Sequence, residues 1–138
     1  MYRNADSDPS FVVTAFNGHV VLLDAGTGSE RWRARIASVA SGSVRVQLRE
    51  HDVIALCGGT IVALTLADGS ERWRAELGGH PHSSMLCVGE RAFVSSLGAL
   101  TCVDLAQGQI LWRNELPGTG YGHAAIAVPG GAVQADIA

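Results

Sequence analysis

Apolar and polar positions along the chain fall into short runs separated by turns that carry glycine. Phe11–Phe16 is one such run, Asn17-Gly18 is a hairpin signal of the type I′ kind, and His19–Asp24 is a second run. Residues 53–57 and Thr60–Thr65 repeat this hairpin around Gly58-Gly59, and Arg91–Ser96 with Ala99–Asp104 repeat it around Leu97-Gly98. A tight turn comes after each second run: Asp24-Ala25-Gly26-Thr27-Gly28, then Thr65-Leu66-Ala67-Asp68-Gly69, then Asp104-Leu105-Ala106-Gln107-Gly108. Its closing glycine is expected at positive φ, which a residue with a Cβ resists. Third strands are predicted over 30–36, 71–77 and 110–116, and fourth strands, after a loop containing Gly or Ser, over 43–49, Ser84–Val88 and 124–128. No stretch sustains a helical period, so the chain is expected to be all-β.

The runs belong to a repeat. Gly28-Ser29-Glu30-Arg31-Trp32-Arg33-Ala34 recurs letter for letter as Gly69-Ser70-Glu71-Arg72-Trp73-Arg74-Ala75, and in altered form as Gly108-Gln109-Ile110-Leu111-Trp112-Arg113-Asn114. Trp32 and Trp73 are 41 residues apart, Trp73 and Trp112 are 39 apart, and these are the only three tryptophans. Gly18, Gly59 and Gly98 keep step with them. A period of about 40 residues belongs to solenoids, propellers and arrays, and with strands as its units it predicts propeller blades, each a four-stranded antiparallel meander.

Leu23-Asp24-Ala25-Gly26-Thr27-Gly28-Ser29-Glu30-Arg31-Trp32 resembles the tryptophan-docking repeat of the PQQ-like (pyrroloquinoline quinone-type) β-propeller family, and the resemblance covers roughly residues 11–128. That family includes quinoprotein alcohol dehydrogenases and a non-enzymatic outer-membrane assembly lipoprotein. The resemblance implies structural roles for Trp32, Trp73 and Trp112 as inter-blade plugs, and for Gly28, Gly69, Gly108, Asp24 and Asp104 as turn formers. The expected organisation is an N-terminal tail over 1–10 and one repeat domain over 11–138, with repeats near 11–42, 43–83 and 84–123 and a partial one over 124–138.

Counting strands from the innermost, A, to the outermost, D, the first unit supplies B, C and D. Two full sets come next, then a final A at 124–128 and a further B over 132–137. Just over three blades fall short of the four to eight of closed propellers, and an open arc leaves apolar faces in water. The expectation is therefore a homodimer making a six-bladed ring, with residues 124–128 of one subunit completing the blade begun by Phe11 of the other. The alternative is a piece of a longer propeller: Met1 favours an intact start, while the finish at Asp136-Ile137-Ala138 leaves more blades open.

Charge and composition narrow the partners. Net charge is −3, all ten cationic residues are arginine, and no cationic block offers an electrostatic footprint for nucleic acid. No run of 18 apolar residues suggests a membrane span, and the polar, acidic start has no signal-peptide pattern. Cys57, Cys87 and Cys102 align with Phe16, Val46 and Leu22 of other repeats, so they read as buried apolar residues rather than disulfide partners. A cytoplasmic location is expected, with the periplasm as the alternative if an export signal precedes the sequence.

Catalysis finds little support. The family's dehydrogenases carry an adjacent cysteine pair, a calcium site and an Asp base over the quinone; here no cysteines are adjacent, and Asp24 and Asp104 are expected in turns. No cofactor is expected, and no catalytic residue is assigned. Histidines offer one candidate site: His80, His82 and His123 in D-to-A loops and His19 after a B-to-C turn are expected on one rim, as solvated loop residues or, less favoured, as metal ligands. Arg31 and Arg33, with Arg72 and Arg74, alternate with the tryptophans and form an outer stripe. That stripe is either a charged edge that blocks aggregation or a dock for an extended acidic peptide. Two function classes remain: a non-catalytic scaffold presenting loops to a protein or peptide, and a small-molecule or metal-binding propeller, of which a quinone-dependent dehydrogenase component is the most distant form.

Overall fold

A computed structural model describes residues 8–37, 44–78, 83–96, 98–120 and 124–133. Among them are thirteen strands and no helix. β1 (Phe11–Phe16), β2 (His19–Asp24) and β3 (Glu30–Arg35) form a three-stranded sheet. β4 (Val44–Arg49), β5 (Asp52–Cys57), β6 (Thr60–Thr65) and β7 (Glu71–Glu76) form a four-stranded one. β8 (Ser84–Val88), β9 (Arg91–Ser96), β10 (Ala99–Asp104) and β11 (Ile110–Asn114) form another, and β12 (Ile126–Val128) pairs with β13 (Gly131–Val133). Every pairing is antiparallel between sequential neighbours, which is the blade meander the repeat predicts.

Strand ends differ slightly from the sequence pattern. The third strands stop at Arg35, Glu76 and Asn114, because the chain turns toward the next blade; Leu116 there takes φ 49°. The fourth strand of the last repeat begins at Ile126 rather than 124, and the partial B strand runs Gly131–Val133 rather than from 132. Residues 134–137 of that expected strand, and Ser43 of the expected A strand, lie outside the described residues.

The core lies between sheets. One cluster joins Val20, Ile36 and the half-buried Trp32 of the first blade to Val53, Ala55, Cys57, Val62 and Leu64 of the second. Another joins Ile54, Leu56, Ile61, Ala63, Leu77 and Trp73 of the second to Met85, Ala92, Val94, Val103 and Leu105 of the third. The second sheet is thus covered on both faces, and every residue of β5 is buried. β1, its equivalent in the first blade, alternates because one face has no neighbour among the described residues. This is the rule that a strand covered on both faces reads as continuously apolar and one covered on a single face alternates.

Each C-to-D pairing carries a register shift at the same place: Leu22/Leu23, Ala63/Leu64 and Cys102/Val103. Such bulges re-aim side chains, and each sits just where a tryptophan crosses, opposite Leu22, Ala63 and Cys102 respectively.

Candidate interaction surfaces

The turn before each tryptophan is built from its own polar atoms. Gly28, Gly69 and Gly108 donate their amides to Asp24, Thr65 and Asp104 carbonyls at 2.8, 2.8 and 2.7 Å, with φ of 77°, 77° and 78°. Asp24 Oδ1 accepts from the amides of Gly26 and Thr27, both at 2.9 Å, and Arg31 Nη2 meets Oδ2 at 3.0 Å. Arg31 and these amides hold the Asp24 carboxyl at about 2, below the ordinary 3.8. In the second blade Thr65 replaces the aspartate and Asp68 takes over: its Oδ1 accepts from the Thr65 hydroxyl and from the Ser70 amide and hydroxyl, which also hold it at about 2. Asp104 accepts from the Ala106 amide, at 3.2 Å.

These turns are sockets. Trp32 lies so close over Gly69 that a Cβ there would stand 2.5 Å from indole Cε3, and Trp73 lies over Gly108 at the same distance. The indole Nε1 atoms donate to Leu66 and Leu105 carbonyls at 2.9 and 3.0 Å. Each joint is therefore a ring laid on a bare glycine, pinned by one hydrogen bond three residues upstream. Inter-blade side chains add to the second joint: Gln47 Oε1 accepts from the Cys87 amide at 2.9 Å, and Arg49 Nε donates to the Gly89 carbonyl at 2.8 Å.

The third tryptophan has no such place among the described residues. Trp112 is 42% exposed, with Leu116 exposed beside it, and its ring meets Phe93 in a tilted contact at 6.2 Å. At the other end of the chain a Cβ on Gly28 would meet nothing within 4 Å. In the same blade Val12 and Phe16 of β1 are 48% and 55% exposed, whereas their equivalents Val53 and Cys57 are buried in the cluster shared with the first blade. Trp32 and Trp73 each lie between two blades, whereas Trp112 meets no such turn, since the half blade β12–β13 carries no C-to-D turn among the described residues. β12 is also already paired, Val128 with Gly131 and Ile126 with Val133, so the edge expected to receive another subunit's Phe11 strand is taken within the chain.

The arginine stripe is internally matched. Arg33 and Arg74 grip Glu30 and Glu71 through two hydrogen bonds each, Arg31 meets Asp24, and Arg72 meets the buried carboxylate of Asp52. Arg31, Arg49 and Arg72 also border a depression of about 840 Å³ that runs along one rim across the three blades, from Phe11 past His51 and Leu66 to Glu90 and Ala106. Each of these guanidiniums is committed there: Arg49 pairs with Glu90, and Arg72 Nη2 reaches the Ala106 carbonyl at 3.3 Å. This hollow was not legible in sequence, since it joins the A-to-B and C-to-D turns of different repeats. It lies on the rim opposite the B-to-C turns, where Ser83 Oγ donates to the Gly58 carbonyl and brings a D-to-A connection beside a B-to-C turn.

Of the histidine rim, His19 is placed next to its hairpin turn, Nδ1 3.2 Å from the Asn17 carbonyl; His80, His82 and His123 lie outside the described residues. Among the described residues no cluster of metal-ligating side chains occurs. Nor do those residues fit a quinone with its calcium: the cysteines are three separate free thiols, and Asp24 is saturated by its own turn. No helix of the described residues is long and apolar enough to cross a membrane.

Bladed sheets docked by indole on glycine define a β-propeller repeat protein. A family model described as outer membrane protein assembly factor BamB matches residues 16–132, and the chain belongs to this family of PQQ-like propeller repeats. Among solved structures it is similar to BamB from Moraxella catarrhalis (21% identity, TM-score 0.58), covering 75% of this chain and 33% of that one. It is also similar to a europium-containing methanol dehydrogenase (17% identity, TM-score 0.57, 75% of this chain and 22% of that one). The computationally designed Ika4 protein aligns at 19% identity and TM-score 0.64, over 83% of this chain and 70% of that one. The chain spans about a third of the BamB structure's length, and at these identities the likeness is one of fold. A search of curated proteins found no match.

Proposed function

We propose that the chain is a non-catalytic propeller module that binds protein, with a second copy of itself closing the ring to six blades. The observation that carries this reading is the pair of open blade faces: a partly exposed indole at one end, and at the other the empty Gly28 turn, with Val12 and Phe16 exposed along β1 of the same blade. Contiguous apolar surface rimmed by paired charges is what interaction sites look like. The family description, that of an assembly factor, supports a role in protein contacts. The turn carboxylates of Asp24 and Asp68 are engaged by their own turns and Cys57 and Cys102 are buried, which supports binding rather than chemistry at those groups.

Light scattering on the purified chain tests the reading, together with affinity capture using the folded chain as bait against the heat-unfolded chain. Two chains per particle and a stoichiometric captured protein are expected, with no quinone absorbance and substoichiometric metal. A monodisperse monomer that captures nothing overturns it, and so does a quinone or one metal per chain.

A further inference from the structure

Resting on the reading that a second copy closes the ring, we infer that the joint between copies repeats the joint within the chain: Trp112 of each subunit lies on Gly28 of the other and donates to its Ala25 carbonyl. The internal joints define the rule. Trp32 sits on Gly69 and donates to the residue three before it, Leu66; Trp73 sits on Gly108 and donates to Leu105, again three before. Applied once more, the rule asks for a glycine at φ near 77° with a free carbonyl three residues upstream. Gly28, at φ 77°, with Ala25 is such a socket, and no indole reaches it among the described residues. Trp112 is the plug left over. Plug and socket belong to opposite ends of the arc, so one chain cannot join its own, whereas two copies related by a twofold axis satisfy both.

Strand arithmetic selects the same number and adds a movement. Blade one holds three strands, blades two and three hold four each, and the half blade holds β12 and β13. In a ring of two such copies, a whole number of blades follows if β1 of the partner copy takes the place of β13 beside β12. The repeat fixes the register: Val128, which faces Gly131 in the chain, would face Phe11, just as Arg49 faces Asp52 and Val88 faces Arg91. β1 brings six residues where β13 brings three, so the exchange lengthens the B strand of the shared blade. The other twelve strands of the described residues then make three blades per chain and two chains make six, within the range of about four to eight known for closed rings, which three chains would exceed.

The test uses sedimentation equilibrium on the full chain and its variants. Trp112→Ala and Gly28→Ala should each weaken the dimer about tenfold or more, as truncation of a buried interface aromatic does. Mixed one to one, they should recover a heterodimer tighter than either homodimer, because one of its two joints keeps both original partners; circular dichroism confirms that each variant is folded. Ending the chain after Val128 should leave the dimer intact or tighter, and ending it after residue 120 should abolish it. A dimer indifferent to both substitutions, or one that survives loss of residues 121–138, overturns this joint while leaving self-association standing. A parent chain that stays monomeric overturns both.

Discussion

At the scale of single residues, a pair of glycines with the same backbone and different surroundings separates strain from docking. Gly28 and Gly69 share φ 77°, but only Gly69 lies under an indole within the chain. In dilute solution Gly28→Ala is expected to lose only the left-handed strain, about 1 kcal/mol. Gly69→Ala adds overpacking against Trp32, a further ~1–3 kcal/mol, as read by urea denaturation. The turn carboxylates make a second residue-scale prediction. Because Asp24 and Asp68 titrate near 2 in the folded chain against an ordinary 3.8, their stabilisation is complete above that ordinary value and is lost as pH falls toward 2. The loss of thermal midpoint in Asp24→Asn and Asp68→Asn, measured across pH, should therefore shrink through that window. Burial pushes the Cys87 thiol up to about 12, and Cys57 and Cys102 are buried, so a thiol reagent at mildly alkaline pH should find three thiols quickly only after denaturation.

At the scale of elements, the joint is the unit of stability. Trp73→Ala removes an indole packed between two blades together with its hydrogen bond to Leu105, and should cost about 3 kcal/mol or more by calorimetry. Trp112→Ala should cost less in the dilute chain, where that ring is 42% exposed and lies on no glycine socket. The strands were legible because Asn17-Gly18, Gly58-Gly59 and the turns closing at Gly28, Gly69 and Gly108 punctuate them at a fixed period, and local backbone chemistry sets such boundaries. What the ends of strands do was less legible: Leu116 leaves its strand early through a left-handed residue that no local pattern marks. Which indole finds a socket was also hidden, since Trp112 sits in the same local motif as Trp73 and differs only in the blade that lies across from it in space. Strand β13 shows the same limit. Its three pairs with β12 are a local hairpin that the sequence allowed, while the proposed exchange with another copy's β1 would be a property of two chains.

At the scale of the whole molecule, the blades are unequal. Among the described residues the second sheet is the one with β5 buried throughout, so amides of β5 and β6 should exchange most slowly with deuterium and those of β1 and β11 fastest. Ring closure as proposed would erase much of that gradient, and exchange measured at rising protein concentration should slow selectively in β1 and β11. Uniform slowing, or none, would mean that those sheets meet no partner copy. The matched arginine stripe leaves the rim close to electrically neutral, so the association should respond weakly to salt and be governed by apolar contact.

Laying Trp32 and Trp73 on the glycines of the following blades while Trp112 stays partly open has an optical consequence. Trp32 and Trp73 emit from sheltered, hydrogen-bonded seats, and Trp112 emits from a wetter one. The protein therefore carries a native fluorophore at each of its boundaries, so that the colour of its emission, followed through dilution or unfolding, reports which seam has opened and in what order.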